Sequence, residues 1–343
     1  MGKILVTGGC GYIGVHTVVD LIENGYDVIS VDNFLNSNAD ILDGVAAITG
    51  KRVKNYNVDL CHFAPTRRIF EENPDISGVI HFAAYKAVGE SFQLPLEYHR
   101  NNLISLINIL QCVEDFKIEN FIFSSSCSVY GNSKTLPVTE DTIWEQAESP
   151  YGRSKQFSEG IIRDFQITNP SVRTISLRYF NPAGAHESGL IGEASPKVLN
   201  LVPILNEVAA GKRAELKVFG NDYDTRDGSC VRDYIHVVDL AHAHTLALQR
   251  VENQRNGDIF EVFNLGIGEG ATVFEAIAAF EKANDIKIPY TIEPRRAGDI
   301  AAVYANNDKA KKILGWQPRF GMEDIMSTAW AYEKKRHTEG VVV

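Results

Sequence analysis

Cysteine, methionine and tryptophan are scarce: five, three and three among 343 residues. The cysteines, Cys10, Cys61, Cys112, Cys127 and Cys230, are odd in number and form no C-x-x-C pair. That excludes a disulfide framework and the usual zinc spacings, and it suits a reducing, cytoplasmic compartment. His16, His62, His242 and His244 show no zinc-like arrangement with cysteine, so no metal is expected. Positive charge is in deficit, with 34 Lys and Arg against 44 Asp and Glu and a net charge of −10. A general nucleic-acid or membrane-surface binder is thereby disfavoured, whereas an anionic small ligand held by a few local arginines is not. No apolar stretch approaches the ~20 residues a membrane span needs. No signal peptide is expected, and Val6 stands where a myristoylation signal carries Ser or Thr.

What the chain does have is glycine, placed at its start. Lys3–Thr7 is a short apolar run of the kind that forms a buried parallel strand. Gly8-Gly9-Cys10-Gly11-Tyr12-Ile13-Gly14 follows at once. Gly9, Gly11 and Gly14 fit G-x-G-x-x-G, and Gly8, Gly11 and Gly14 fit G-x-x-G-x-x-G equally well. Residues 15–24 read as an amphipathic helix ending at Gly25, and residues 26–31 as a second strand that ends on Asp32. Strand, glycine turn, helix, strand and acid in that order are the context a dinucleotide fingerprint requires. Glycines let the backbone approach a pyrophosphate at the helix N-terminus. A carboxylate at Asp32 accepts from ribose hydroxyls and repels a 2′-phosphate, which favours NAD over NADP. The plainer alternative is a turn serving only close helix–strand packing.

Strand-like runs at 53–58, 78–82, 120–123 and 172–177 alternate with helical patterns, notably 94–116 and 151–168. Alternation of this kind predicts an α/β fold, a Rossmann-type doubly wound parallel sheet with helices on both faces. After about residue 180 the elements shorten, which predicts a smaller, interwoven C-terminal substrate lobe. The expected division is 1–180 for the dinucleotide-binding domain, with later segments weaving back onto it, and 181–343 mainly for substrate. The tail 337–343 is expected to be poorly ordered.

Tyr151-Gly152-Arg153-Ser154-Lys155 places a phenol and an ammonium one helical turn apart, on one face. A tyrosine titrating near ~10 is a poor base at neutral pH, and a neighbouring cation would lower that value. Ser126, closing an apolar run, could share a hydrogen bond with a substrate alcohol. Each feature alone is commonplace, since Y-x-x-x-K recurs on ordinary helices and serine clusters close many strands. Beside a dinucleotide fingerprint they suit removal of a hydroxyl proton while hydride leaves the same carbon.

These residues resemble the extended short-chain dehydrogenase/reductase superfamily, and within it the UDP-glucose 4-epimerase family over nearly the whole length. The more specific matches are Lys86-Ala87-Val88-Gly89-Glu90-Ser91, Arg178-Tyr179-Phe180-Asn181-Pro182, Val231-Arg232-Asp233-Tyr234 and Arg295-Arg296-Ala297-Gly298-Asp299. The resemblance implies Tyr151 as acid/base, Lys155 as its charge partner and ribose ligand, and Ser126 as hydrogen-bonding helper. It implies a dinucleotide site of Gly8, Gly11, Tyr12, Ile13, Gly14, Asp32, Asn33, Asn36 and Ser37. Asp59 and Leu60 flank the adenine there, joined by Phe82, Ala83, Ala84, Lys86, Asn101 and Tyr179. It further implies that Lys86, Asn181, Asn200, Leu201, Phe219, Arg232, Arg296, Asp299 and Val303 face a UDP-sugar. A homodimer through the helices near 94–116 and 151–168 is also implied. Ala84 replaces a usual glycine, and Val303 stands where many members carry tyrosine.

The implied activity is interconversion of UDP-glucose and UDP-galactose by transient oxidation at C4 with bound NAD, extended to the N-acetylated sugars by the space at Val303. Dehydratases of the superfamily carry Asp-Glu after the Ser126 position, and here Cys127-Ser128 follow. A uronate or pentose 4-epimerase stays open on these residues, as does a non-catalytic NAD-binding sensor, although such sensors commonly lose the tyrosine or lysine.

Overall fold

Each short apolar run of the first half becomes a parallel strand, all of them buried except the edge strand Lys54–Tyr56. The computed structural model describes residues 2–194, 198–253, 258–296 and 299–338. Ala297, Gly298 and the last five residues of the 337–343 tail therefore lie outside the described residues. The elements run β1 (Lys3–Thr7), α1 (Tyr12–Glu23), β2 (Asp27–Val31), α2 (Ile41–Thr49), β3 (Lys54–Tyr56), α3 (Phe63–Glu72), β4 (Ile76–His81), α4 (Val88–Gln93), α5 (Pro95–Asp115), β5 (Asn120–Ser126), α6 (Pro150–Thr168) and β6 (Arg173–Tyr179). They continue through β7 (Asn181–Ala183), α7 (Leu201–Ala209), β8 (Leu216–Phe219), β9 (Val231–Arg232), β10 (Tyr234–His236), α8 (Val237–Asn253), β11 (Phe260–Leu265), β12 (Ala271–Thr272), α9 (Val273–Asn284), β13 (Tyr290–Glu293), β14 (Ala302–Val303) and α10 (Met322–Thr338).

The main sheet has seven strands in the order β11-β6-β5-β4-β1-β2-β3, every pair parallel. This is the Rossmann-type α/β fold. Winding reverses between β1 and β4, both hydrogen-bonded neighbours, and the crevice outside their carboxyl ends is where such sheets take ligands. On one face Val15, Val18, Val19 and Ile22 of α1 pack with Leu240, Ala243, Ala247 and Val251 of α8. On the other, Ile69 and Phe70 of α3 join Leu106, Ile109, Leu110 and Val113 of α5 and Ile162 of α6. Strands buried on both faces explain why they read as continuous apolar runs rather than alternating ones.

Beyond β6 the chain builds a second core. Val202 and Leu205 of α7, Ala276, Ile277 and Phe280 of α9, and Ile325, Met326 and Ala329 of α10 close over β8. Residues past 180 also return to the main sheet, with α8 on its face and β11 at its edge beside β6.

One helix boundary differs from the sequence expectation. The first helix starts at Tyr12 rather than at residue 15, because Gly11 is extended and serves as N-cap, which places Gly14 in the first turn. The helix expected over 94–116 is α5, with Leu94 as its N-cap and the short α4 ending just before it. Pro95 suits the first helical position and pushes its predecessor out of helical geometry.

Candidate active site

The glycine turn is held by contacts no side chain would permit. Gly8 has φ +67°, a left-handed conformation that favours glycine. A Cβ on Gly14 would lie 2.1 Å from the Gly8 carbonyl oxygen. Gly8 N donates to Val31 O at 2.8 Å, tying the turn to the end of β2. Asp32 completes the tie, accepting from Cys10 N at 3.1 Å, Phe34 N at 3.0 Å and Ser37 Oγ at 2.7 Å. A carboxylate offers about four lone-pair sites, so roughly one is left for a ribose hydroxyl. The first turn of α1 has neither a side-chain cap nor an acidic residue. Free N–H groups, absent Cβ atoms and a terminal acid together fit a dinucleotide pyrophosphate and ribose. Tyr12 donates to Gly184 O at 2.6 Å, and Ile13 packs on the core beneath.

Across the crevice, Thr7 Oγ1 accepts from the N–H groups of Phe82 and Ala83, each at 3.1 Å, and hydrogen-bonds His81 Nδ1 at 2.9 Å. The loop carrying Phe82, Ala83, Ala84 and Lys86 is thereby set against the glycine turn. Of the remaining expected cofactor residues, Leu60 is buried. Asn101 is half-buried, and Asn33, Asn36 and Asp59 are exposed at the rim.

Tyr151, Lys155, Ser126 and Tyr179 come together at the ends of β5 and β6. Ser149 caps α6, accepting from Gly152 N at 3.1 Å, and Pro150 opens it. Tyr151 therefore sits in the first turn, half-buried. The Lys155 ammonium is buried, donates to Ser124 O at 2.7 Å, and lies 4.9 Å from the Phe123 ring centroid and 6.0 Å from that of Tyr151. Ser126 Oγ accepts from Ser128 N at 3.2 Å and hydrogen-bonds Ser128 Oγ at 3.0 Å. Tyr179 hydrogen-bonds Ser124 Oγ.

The electrostatics differ from the expectation that Lys155 lowers the Tyr151 pKa. Burial pushes the Tyr151 hydroxyl up to about 12, opposed by its hydrogen bond to Ser126. Burial also pulls Lys155 down to about 8, opposed by the Glu159 carboxylate. The physical reason is that the ammonium points at the Ser124 carbonyl, so desolvation outweighs pairing at both groups.

The residues expected to face the sugar nucleotide gather in three groups. Arg232 donates to Ile300 O at 2.7 Å and lies 3.6 Å from Asp299, and β9 pairs Arg232 with Val303 of β14. Val303 packs against the cluster formed by Val129, Tyr130, Val138, Phe180 and Ala305, as Cys127 does. The charge of Arg232 also acts on the Cys127 thiol, so this group adjoins Ser126. Arg296 lies 4.2 Å over the Phe219 ring. Lys86 and Asn200, which precedes Leu201 at the start of α7, both donate to Glu193 Oε1, at 3.3 and 3.1 Å. Asn181 N donates to Asp233 O at 2.9 Å, which fixes β7 beside β10.

Several organising residues escape the sequence reading. Asn102 accepts from Tyr85 N, donates to Tyr85 O, and donates to Ser154 Oγ at 3.0 Å, stapling the 82–86 loop to α6. Glu159 and Arg178 form a bidentate, fully buried pair at 2.9 and 2.7 Å. Removing one partner of such a pair costs about 3–5 kcal/mol. The available signal was Arg178 closing an apolar strand run, since a buried charge demands a partner.

Residues 5–329 match the family profile described as GDP-mannose 4,6 dehydratase. The sequence is 49% identical over 332 residues to the UDP-glucose 4-epimerase of Haemophilus influenzae, covering 96% of this chain and 97% of that one. The fold matches the Bifidobacterium longum UDP-glucose 4-epimerase in complex with NAD+ and UDP at TM-score 0.93 and 47% identity, over 98% of this chain and 99% of that one. It matches the Stenotrophomonas maltophila UDP-glucose-4-epimerase with bound NAD and formylated UDP-arabinopyranose at TM-score 0.94 and 40% identity, over 99% and 100% of the two chains. A Rossmann sheet whose crevice carries tyrosine, lysine and serine defines an extended short-chain dehydrogenase/reductase. Within that class, this chain belongs to the UDP-glucose 4-epimerase family.

Proposed function

We propose that the protein interconverts UDP-glucose and UDP-galactose at C4 with NAD held through turnover, and epimerises the N-acetylated pair as well. The observation that carries this is the meeting of Tyr151, Lys155 and Ser126 at the switch-point crevice, beside the glycine turn and Asp32. When bound there, NAD supplies a reversible hydride acceptor and a positive charge. Tyr151 removes the C4-hydroxyl proton and later returns it, while Ser126 Oγ shares the hydrogen bond to the same oxygen. Lys155, held by Ser124 O, supplies a cation and a ribose contact. The phenol's upward shift means that it rests protonated, so proton transfer waits for added positive charge.

The UDP part is assigned to Asn181, Asn200, Leu201, Phe219, Arg232, Arg296 and Asp299, with Lys86 at the junction with the cofactor. Arginines suit a diphosphate, and the Phe219 ring offers an apolar wall. Dehydratase chemistry is disfavoured because Cys127 and Ser128 occupy the acid–base positions and burial pushes the Cys127 thiol up to about 12. A homodimer is supported by apolar side chains left exposed on α5 and α6, among them Leu96, Ile104, Ile107 and Phe157. Among the described residues no helix is long and apolar enough to cross a membrane, and the five cysteines are free, both in keeping with a cytoplasmic enzyme.

The test is incubation of purified protein, without added NAD, with UDP-galactose and with UDP-N-acetylgalactosamine, followed by separation of products. Both should convert to their C4 epimers, and denatured protein should release about one NAD per chain, one for each fingerprint. Absence of C4 conversion, or activity strictly dependent on added NADP, would refute the proposal.

A further inference from the structure

Three adjacent strands carry a row of polar residues directly behind the catalytic group. Ser125 of β5 pairs in register with Arg178 of β6, and Arg178 pairs with Asn264 of β11. Glu159, one helical turn beyond Lys155 on α6, lies over this row and is fully buried. It accepts from Ser125 Oγ at 2.6 Å and from both ends of the Arg178 guanidinium. Arg178 also donates to Tyr130 Oη at 2.9 Å, and Tyr130 donates to Asn264 Oδ1 at 2.5 Å. Asn264 Nδ2 donates in turn to Val138 O at 3.1 Å, and Val138 pairs with Tyr304 and Asn306, on either side of Ala305. The row thus runs from the catalytic lysine to the segment that follows Val303.

Three consecutive β5 residues divide the work. Ser124 O holds the Lys155 ammonium, Ser125 Oγ holds Glu159, and Ser126 faces Tyr151. A slide of α6 along β5 would break both clamps at once. We propose that Glu159 and Arg178 form a positioning pair for the proposed C4 epimerisation, fixing α6 on β5 so that Tyr151 meets Ser126. This rests on that functional reading and extends it to two residues that touch neither cofactor nor sugar.

The charged and titratable groups around Lys155 come from four elements. Tyr151 and Glu159 flank it on α6. His81 of β4 is buried and held neutral, and Lys155 contributes to that. Tyr179 and Arg178 stand on β6. Tyr98 of α5 faces Tyr151. Of these, Glu159 supplies the pull that opposes loss of the lysine proton.

The test is the pH profile of kcat for UDP-galactose in Glu159→Gln and in the charge-balanced double variant Glu159→Gln/Arg178→Met, each with its NAD content measured. Wild type should lose activity on the alkaline side as Lys155 gives up its proton. Glu159→Gln should lose it earlier, with kcat at pH 9 down roughly tenfold and a much smaller loss at pH 6, whereas the double variant, which also removes the Arg178 cation, should shift less. A folded, NAD-loaded Glu159→Gln variant with the wild-type alkaline limb would overturn the electrostatic role. Ser125→Ala keeps both charges and removes one clamp. It should lower kcat by roughly threefold or more at every pH with KM unchanged, as misplacement does. Wild-type kcat in Ser125→Ala would overturn the positioning role, including where the charge variants do not fold. Failure of the underlying reading looks different: wild-type protein would not epimerise UDP-galactose, or Lys155→Met would keep wild-type kcat.

Discussion

Asp32 reaches back to Cys10, Gly8 to Val31 and Thr7 to Phe82, all between neighbouring strands of one sheet. Arg232 reaches Ile300, Asp233 reaches Ile267 and Ala305, and Lys86 reaches Glu193. The cofactor crevice is thus made by consecutive strand ends, each delivered by the regular βα rhythm. The proposed sugar cleft is made by short strands and loops from distant parts of the chain, joined by side chains. The first is secured by contacts between neighbouring strands and the second by contacts between distant segments, so the two should respond differently to substitution.

Between them stands Tyr151, and the largest effect is expected there. Tyr151→Phe keeps the ring but removes the proton acceptor, so kcat should fall by about 10²–10⁴ with NAD content unchanged. Near-wild-type turnover would remove Tyr151 from the chemistry and leave the crevice as a binding site.

Acid should separate the regions next. His16 and His81, both in the dinucleotide half, are held by burial at about 3. An unfolded histidine titrates near ~6.5, so below that pH the unfolded state binds more protons than the native one. Stability is therefore lost as pH falls from about 6.5 toward the folded values. At pH 5 the loss should be roughly 1–2 kcal/mol for each histidine. Urea midpoints at pH 7 and pH 5 measure it. His236 of β10, also pulled down by burial to about 4 and hydrogen-bonded to Thr328 of α10, adds its own loss on the other side. Hydrogen exchange at pH 5 should therefore rise more in α1 and β4 together than in α10. Equal loosening of both regions would break the comparison.

The ease of reading the two regions from sequence follows the same division. The glycine turn, β1, β2 and Asp32 lie within about thirty residues, where fingerprint and apolar runs have fixed spacings. Tyr151, Lys155 and Ser126 were legible because a helix and a strand end place them. Arg232, Asp299 and Val303 were named only through family resemblance, and no spacing links them. Asn102, Glu159 and Glu193 were missed because polar residues inside good helix or loop patterns give no local signal. Their roles arise only when another element packs over them. The downward pull of burial on the Lys155 pKa was missed for the same reason, since desolvation is a property of packing.

Asp233 offers a medium-sized test of the sugar side. Its buried carboxylate accepts from Ile267 N at 2.8 Å, Gly268 N at 3.2 Å and Ala305 N at 3.0 Å. Asp233→Ala leaves those donors without that partner, at a cost of about 1–3 kcal/mol. The KM for UDP-galactose should rise with little change in kcat or NAD content. Loss of NAD instead would show that the two regions are not separable.

The smallest and most selective effect is expected at Val303. It pairs with Arg232 across β9 and β14 and packs, partly buried, against the cluster of Val129, Tyr130, Val138, Phe180 and Ala305. Valine is small and has no hydroxyl, which on the proposed reading leaves room for a substituent on the sugar. Val303→Tyr adds a ring and a polar atom at that point without touching Tyr151, Lys155 or the glycine turn. A clash with an added group discriminates by what it excludes. UDP-N-acetylgalactosamine turnover should therefore fall by about tenfold or more while UDP-galactose turnover stays within about twofold, a difference of at least roughly 1 kcal/mol in the selectivity ratio. Parallel kcat/KM measurements on both sugars decide it. Equal loss on both would mean that Val303 serves packing alone, and rejection of the N-acetylated sugar by wild-type protein would mean that another side chain already fills the space.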